Sequence, residues 1–349
     1  MVRRTKKVDR SAVAWARCLP VVVILSILFA PSGGCKTMEL SGKDAQGDPQ
    51  PLHKGSKILR SEDLVVEVMD PNDPDRYNRG VRFTPVGAVL RVSMNGDEFL
   101  FSSVEHNPIA EHAGLAAEFD LTTQGGPPGY AEAKAGEGFV KVGVGVLKKT
   151  GGPYGFWNKY ELIEPAKTTV KWTAAAADFD QTCKGPNGYA YELSAKVKVE
   201  GKTVAVEWTL ANAGTKPFET HQYAHNFFRF NDRPVGPDYV LSFPYGFKAE
   251  GLGKEQKQVG REILFAAEIP QAVNITVPYP EGYEGANELT VKHTKTGQTL
   301  HCVTSVPGMR TAVHASKKYL CPEQFISLKL SPGDKTTWTR AYTFGRKAD

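Results

Sequence analysis

From about residue 63 onward, apolar and polar residues alternate with the period of two that marks a half-buried β-strand. GAVLRVSMNGDEFLFSS is one such stretch, and its Asn95-Gly96 pair is the strongest short-range signal for a two-residue hairpin turn. YELSAKVKVEGKTVAVEWTLAN is another. Leu193, Ala195, Val197 and Val199 share one face, a turn follows at 200–202, and Val204, Val206, Trp208 and Leu210 share a face after it. TTVKW, ELTVKHTKTGQTLHCV and FISLKLSPGDKTTWTRAYTF read as further hairpin-like strands. No segment keeps a 3.6-residue period for more than about three turns, so little helix is predicted. The 34 glycines and 23 prolines fall between the strand runs, where an all-β architecture needs its turns. The predicted fold is all-β, a single large antiparallel β-sandwich spanning 63–349, with two smaller sandwiches as the alternative.

The start of the chain follows another pattern. Arg3, Arg4, Lys6, Lys7, Arg10 and Arg17 lead into the apolar run Cys18–Ala30, which is shorter than the roughly 20 residues a membrane-spanning helix needs. A basic region, a short apolar region and then small residues make a secretory signal. PSGGC ends it and resembles the bacterial lipoprotein processing site, with Cys35 as the lipidated first residue and Ser32 where Leu is usual. Residues 1–34 are therefore expected to be a signal peptide and 35–62, polar and without apolar period, a flexible tether. The mature protein is expected to be exported and held by its lipid to the bacterial cell envelope, on its periplasmic face. Most of the formal +5 charge sits in the leader, so the remainder gives no reason to expect a nucleic-acid partner. Cys183, Cys302 and Cys321 fit no zinc or redox motif. In an oxidising compartment a Cys302–Cys321 disulfide is open, and so are buried free thiols.

The richest chemistry lies in THQYAHNFFRF, residues 220–230, with two histidines, two amides, an arginine and four rings. A purely core-filling strand would not carry so many hydrogen-bonding groups. His221 and His225 are four apart, which on a strand places them about 13 Å apart at about 3.3 Å per residue, too far to share one ion. On a helix the spacing suits zinc, but Gln222 stands where the HExxH signature needs Glu. No metal or cofactor is expected. His225 and Phe227 share a face by the period-two rule, while Phe228 and Phe230 are expected to fill core.

Five segments in order resemble the galactose mutarotase-like, or aldose 1-epimerase, superfamily: RYNRGVRFTPVGAVL, HAGLAAEFD, PPGYAEAKAGEGFVKVGVGVL, TLANAGTKPFETHQYAHNFFRFN and PEQFISLKLSPGDKTTWTRAYTF. The resemblance covers about residues 63–346. It implies a β-supersandwich acting on a carbohydrate, with His225 as general acid and Glu323 of CPEQF as general base. Ala224 departs from the asparagine that commonly precedes the histidine, and Asn226 follows it instead. His112 lies where many members have a second sugar-contacting histidine, although HAGLAAE departs from the usual His-Gly pattern.

Mutarotation places a proton on the ring oxygen while another leaves the anomeric hydroxyl. Histidine suits the acid because its ordinary pKa, about 6.5, is near neutral, and a carboxylate suits the base. The two groups should come from different strands and flank one sugar ring. Arg82, Tyr223, Phe227 and Arg229 are further candidates for sugar contact, with Trp157 a possible rim platform and Glu118–Lys141 a strand ion pair. A non-catalytic sugar-binding envelope module is the competing function, and a hydrolase or lyase on the same scaffold is a third.

Overall fold

The computed structural model describes residues 50–120 and 124–346. The leader, Cys35 and the first part of the tether lie outside the described residues. Two large antiparallel sheets stack face to face. The first runs in the spatial order Ser56–Arg60, Leu64–Met69, Val89–Met94, Leu115–Phe119, Phe218–Asn226, Leu320–Leu330, Arg310–Ala315 and Val273–Pro278, with short Asp97–Glu98 added to Val89–Met94. The second runs Gln256–Val259, Glu262–Phe265, Tyr239–Ser242, Asn287–His293, Gln298–Thr304, Lys335–Arg346, Thr203–Asn212, Ala190–Glu200, Ala176–Lys184 and Lys167–Trp172. A small three-stranded sheet of Gly138–Lys141, Gly145–Lys148 and Leu162–Pro165 completes the set. The described helical structure is one 3-10 turn, Pro186–Gly188, and no described helix is long and apolar enough to cross a membrane.

The alternation read from the sequence is the alternation of burial. Along Ala190–Glu200 every second residue faces the core, and Leu193, Ala195, Val197 and Val199 are all buried there. Asn95 and Gly96 both take positive φ, as a type I′ turn requires, and set the register of Ser93 against Glu98. Between the sheets Trp208 stacks parallel to Trp338 at 6.2 Å, and Phe119 packs edge-on to both at 6.3 Å. Each fully buried large apolar side chain of this kind contributes about 1.5–3 kcal/mol. Phe228 and Phe230 are fully buried in the same core, as expected.

Two expectations change. Residues 56–60, read as tether, form an edge strand paired with Leu64–Met69, and buried His53 is fixed to Glu67 at 2.9 Å. SKILR offers too short an apolar run to show this in the sequence. The closing segment FISLKLSPGDKTTWTRAYTF is not a hairpin. Leu320–Leu330 belongs to the first sheet and Lys335–Arg346 to the second, so 331–334 carries the chain across the sandwich. The crossover is anchored on Asn212, whose carbonyl accepts from the Gly333 amide at 2.9 Å and whose amide donates to the Asp334 carbonyl at 2.9 Å. Of the two readings left open for Cys302 and Cys321, the structure has the buried free thiols, on strands of different sheets.

Candidate functional site

Phe218–Asn226 lies inside the first sheet, between Leu115–Phe119 and Leu320–Leu330. Its even-numbered residues face the sandwich interior. Gln222 Oε1 accepts from Arg340 Nη2 at 2.7 Å, and Asn226 Oδ1 accepts from the Tyr342 hydroxyl at 3.0 Å. Asn226 Nδ2 donates to the Pro322 carbonyl at 2.7 Å. The two amides that made the stretch unusual are thus spent on interior structure.

The odd-numbered residues Tyr223 and His225 face away from the sandwich interior, and His225 lines a concave surface that residues 82, 101, 110–112 and 156 border. A cavity of about 620 Å³ lies there. His225 Nε2 stands 3.0 Å from Glu323 Oε1, and both side chains are buried against its wall. Backbone register explains the meeting. Leu320–Leu330 pairs antiparallel with Phe218–Asn226, setting Gln222 opposite Ile326, and three residues further on that alignment brings 225 opposite 323. On the far sides the row continues with Ala116, opposite His225, and Ala312, opposite Glu323. These small neighbours leave the floor of the cavity open beside the pair.

Phe227 stacks on the His225 ring at 4.2 Å, and Phe83 meets it edge-on at 5.8 Å. Burial drives the His225 imidazole well below its usual pKa, reinforced by the positive charge of Arg82. Burial pushes the Glu323 carboxyl up to about 8, against the lowering effect of Arg82. The pair therefore holds one proton at neutral pH, and burial favours the uncharged arrangement, carboxylic acid beside neutral imidazole. His225 Nδ1 is buried with no hydrogen-bond partner among the described residues.

Arg82 lies above this floor. Its Nε donates to Glu118 Oε2 at 2.7 Å and its Nη2 to the Tyr223 hydroxyl at 3.0 Å, while that hydroxyl also bonds Glu118. Lys141 Nζ is 3.8 Å from the other Glu118 oxygen, both side chains fully buried. The Glu118–Lys141 ion pair is thus present and belongs to a larger network that fixes Arg82. Rings of Phe83 and Phe156 lie 4.5 and 4.0 Å from the guanidinium carbon.

The structure brings together His225, Glu323, Arg82, His112 and Phe227 on one cavity. His112 packs edge-on to Phe83 at 4.4 Å, its pKa held down to about 3, mainly by burial. Two expected sugar contacts fall elsewhere. Tyr223 is fully buried behind the wall, stacked on Phe325 at 4.4 Å and bonded to Arg82. Arg229 lies past the end of its strand, where its Nη2 donates to the Asp232 carbonyl at 2.9 Å and its guanidinium backs Phe101 at 5.7 Å. Trp157 is 74% exposed and outside the cavity lining, and its neighbour Phe156 takes the rim position. His221 does not line the cavity and sits 3.5 Å from Glu219. No group of three or more His, Cys, Asp or Glu among the described residues is placed to hold a metal ion.

Sequence reasoning missed Arg310, His314 and Asn274, which line the same cavity on the two strands next to Leu320–Leu330. Arg310, Ala312 and His314 alternate with buried Thr311, Val313 and Ala315, a period-two signal visible in RTAVHA. His314 Nδ1 is 2.8 Å from Asn274 Oδ1.

No protein-family model and no curated protein matches this chain. Solved structures do. A protein of Synechocystis sp. PCC 6803 superposes with TM-score 0.55 at 12% identity, covering 84% of this chain and 96% of its own. A candidate aldose 1-epimerase from Escherichia coli K12 gives 0.54 at 15% identity, covering 84% and 99%. A galactose mutarotase-like protein from Lactobacillus casei gives 0.50 at 11%, covering 83% and 100%. The chain has the all-β galactose mutarotase-like fold, at sequence identities that speak to fold alone.

Proposed function

We propose that this protein is an exported, carbohydrate-active protein whose cavity binds an aldose and interconverts its anomers, with His225 and Glu323 as the acid–base pair. The observation that carries this reading is the His225–Glu323 contact of 3.0 Å, formed by two strands on the floor of a cavity with aromatic walls. A pair holding a single proton suits mutarotation, which needs one proton given and one taken in the same step. The direction of transfer follows the buried protonation. Glu323 carries the proton and gives it to the ring oxygen as the C1–O5 bond breaks and its electron pair passes to O5. His225 Nε2 takes the anomeric hydroxyl proton, and O1 becomes the carbonyl. After rotation about C1–C2 the same steps reverse and reset the pair. This exchanges the acid and base roles that the family resemblance implies. It also requires the sugar to replace the direct contact, with O1–H donating to His225 Nε2 and O5 accepting from Glu323.

That direct contact is also what favours a second reading, a sugar-binding module in which the pair never parts. NMR exchange spectroscopy on α- and β-galactose and on α- and β-glucose separates the two. Faster anomer exchange with the wild-type protein than in buffer supports the enzyme, whereas sugar binding with no acceleration supports the module. Absence of any sugar binding removes both. For location, the basic leader, its short apolar run and PSGGC support a lipid on Cys35 that holds the protein to the cell envelope. Cys35→Ala should then shift the protein from the membrane fraction to the soluble fraction.

A further inference from the structure

Two arginines line the cavity, and they differ in how they are held. The charge of Arg82 is matched by Glu118 and fixed by Tyr223. The Arg310 side chain makes no hydrogen bond or ion pair with any described residue. Its guanidinium carbon lies over the Phe325 ring, 4.1 Å from the centroid, and the residue lines the cavity. Phe325 in turn stacks on Tyr223, so the platform beneath Arg310 is rigid. Of the carboxylates on the lining, Glu111 accepts from its own loop, the Asn107 amide at 2.6 Å, and Glu323 faces His225. Lys318 adds a further positive group at the exposed rim. Glu323 is near enough to act on the Arg310 charge but makes no ion pair with it, so the guanidinium's donors are left for a ligand that brings its own negative charge.

Position narrows the ligand. Arg310 is two residues from Ala312 on one strand, and Ala312 is opposite Glu323. Arg310 is therefore rooted about 7 Å along its strand from Ala312, the residue beside Glu323, on the same face of the sheet. A hexuronic acid carries its anomeric carbon and its carboxyl-bearing carbon on the two sides of the ring oxygen. With the anomeric hydroxyl on His225 and the ring oxygen on Glu323, the C6 carboxylate falls on the Glu323 side of the sugar, the side on which the Arg310 strand lies. A planar guanidinium matches a planar carboxylate with two parallel hydrogen bonds, and stacking on a ring fixes the plane of that fork. We infer that the substrate class is the uronic acids, sugars whose C6 is a carboxylate, with Arg310 as the residue that selects them. This deepens the proposed function and rests on its reading of the cavity as a sugar site.

Isothermal titration calorimetry on the full chain tests it, with galacturonate, glucuronate, galactose, glucose and glucose 6-phosphate as probes. Wild-type protein should bind at least one uronate about ten- to a hundredfold more tightly than its neutral parent, the range for a charge-assisted bidentate pair. In Arg310→Gln that ratio should fall to near one, and Arg310→Lys should recover only part of it. Both variants are checked for an unchanged far-UV spectrum and unfolding midpoint. Equal binding of uronate and parent by the wild type overturns the inference and leaves the sugar site standing. So does a preference for glucose 6-phosphate over the uronates. No binding of any probe overturns both readings. Uronate preference without faster anomer exchange upholds this inference and removes the catalytic one.

Discussion

The two faces of the Phe218–Asn226 strand carry similar amounts of polar chemistry and use it in opposite ways. On the inner face Gln222 and Asn226 meet Arg340, Tyr342 and the Pro322 carbonyl, and Arg340 is further bonded to Thr304 Oγ1 at 2.9 Å and the Gln324 carbonyl at 2.9 Å. On the outer face His225 keeps an unpartnered Nδ1, meets only Glu323 through Nε2, and borders open space. A buried polar group costs stability unless it is paired, so saturation marks structure and incomplete pairing marks a place where a ligand can finish the job. The alternation of one strand separates the two within a few residues.

The sharpest way to break this contrast is to remove the outer pair. His225→Ala or Glu323→Gln should lower the anomer-exchange rate roughly a hundred- to ten-thousandfold, the usual contribution of general acid–base groups, with little change in unfolding midpoint. A small rate effect with a large loss of stability would make the outer face structural as well. Arg340→Met should do the reverse. It strands Gln222, Gln324 and Thr304 acceptors in the interior and should cost about 3 kcal/mol in denaturant unfolding, leaving turnover per folded molecule intact.

Much of this division was legible in the sequence, and the limits were physical. Alternation and the Asn95-Gly96 turn specified strands and a sandwich, because both are local. The resemblance placed His225 and Glu323, 98 residues apart, on different strands. It did not reveal that they touch, since side-chain separation depends on register. Arg310 and His314 were visible as an alternating polar face but had no partner to aim at until Arg310–Ala315 was seen beside Leu320–Leu330. The crossover at 331–334 was read as a hairpin because Ser-Pro-Gly-Asp is a turn in either case. Tyr223 shares the outer face with His225, yet Arg82 and Glu118 cover it, and parity alone says nothing about what lies above a strand.

Smaller effects sharpen the picture. Tyr223→Phe removes the hydroxyl that joins Glu118 to Arg82 and should cost about 1.5 kcal/mol of stability. Its rate effect should be several-fold only, because the guanidinium keeps its bond to Glu118. The pH dependence adds a test of the pair itself. Glu323 has a folded pKa of about 8, raised from the ordinary carboxyl range, so the folded state binds a proton that the unfolded chain has already lost. Stability from this group is complete below the ordinary carboxyl range and declines as pH rises toward 8, and the exchange rate should fall above that point. In Glu323→Gln the corresponding slope of stability with pH should disappear.

The central claim is that His225 and Glu323 share one proton in a cavity that a sugar occupies. Imidazole ¹⁵N chemical shifts of His225, followed through a pH titration with and without galacturonate, test it most directly. The account predicts a neutral ring throughout the range from weakly acidic to pH 8, with both nitrogens shifting when the sugar is added. A ring that titrates as an ordinary histidine, or one that does not respond to saturating sugar, would contradict it.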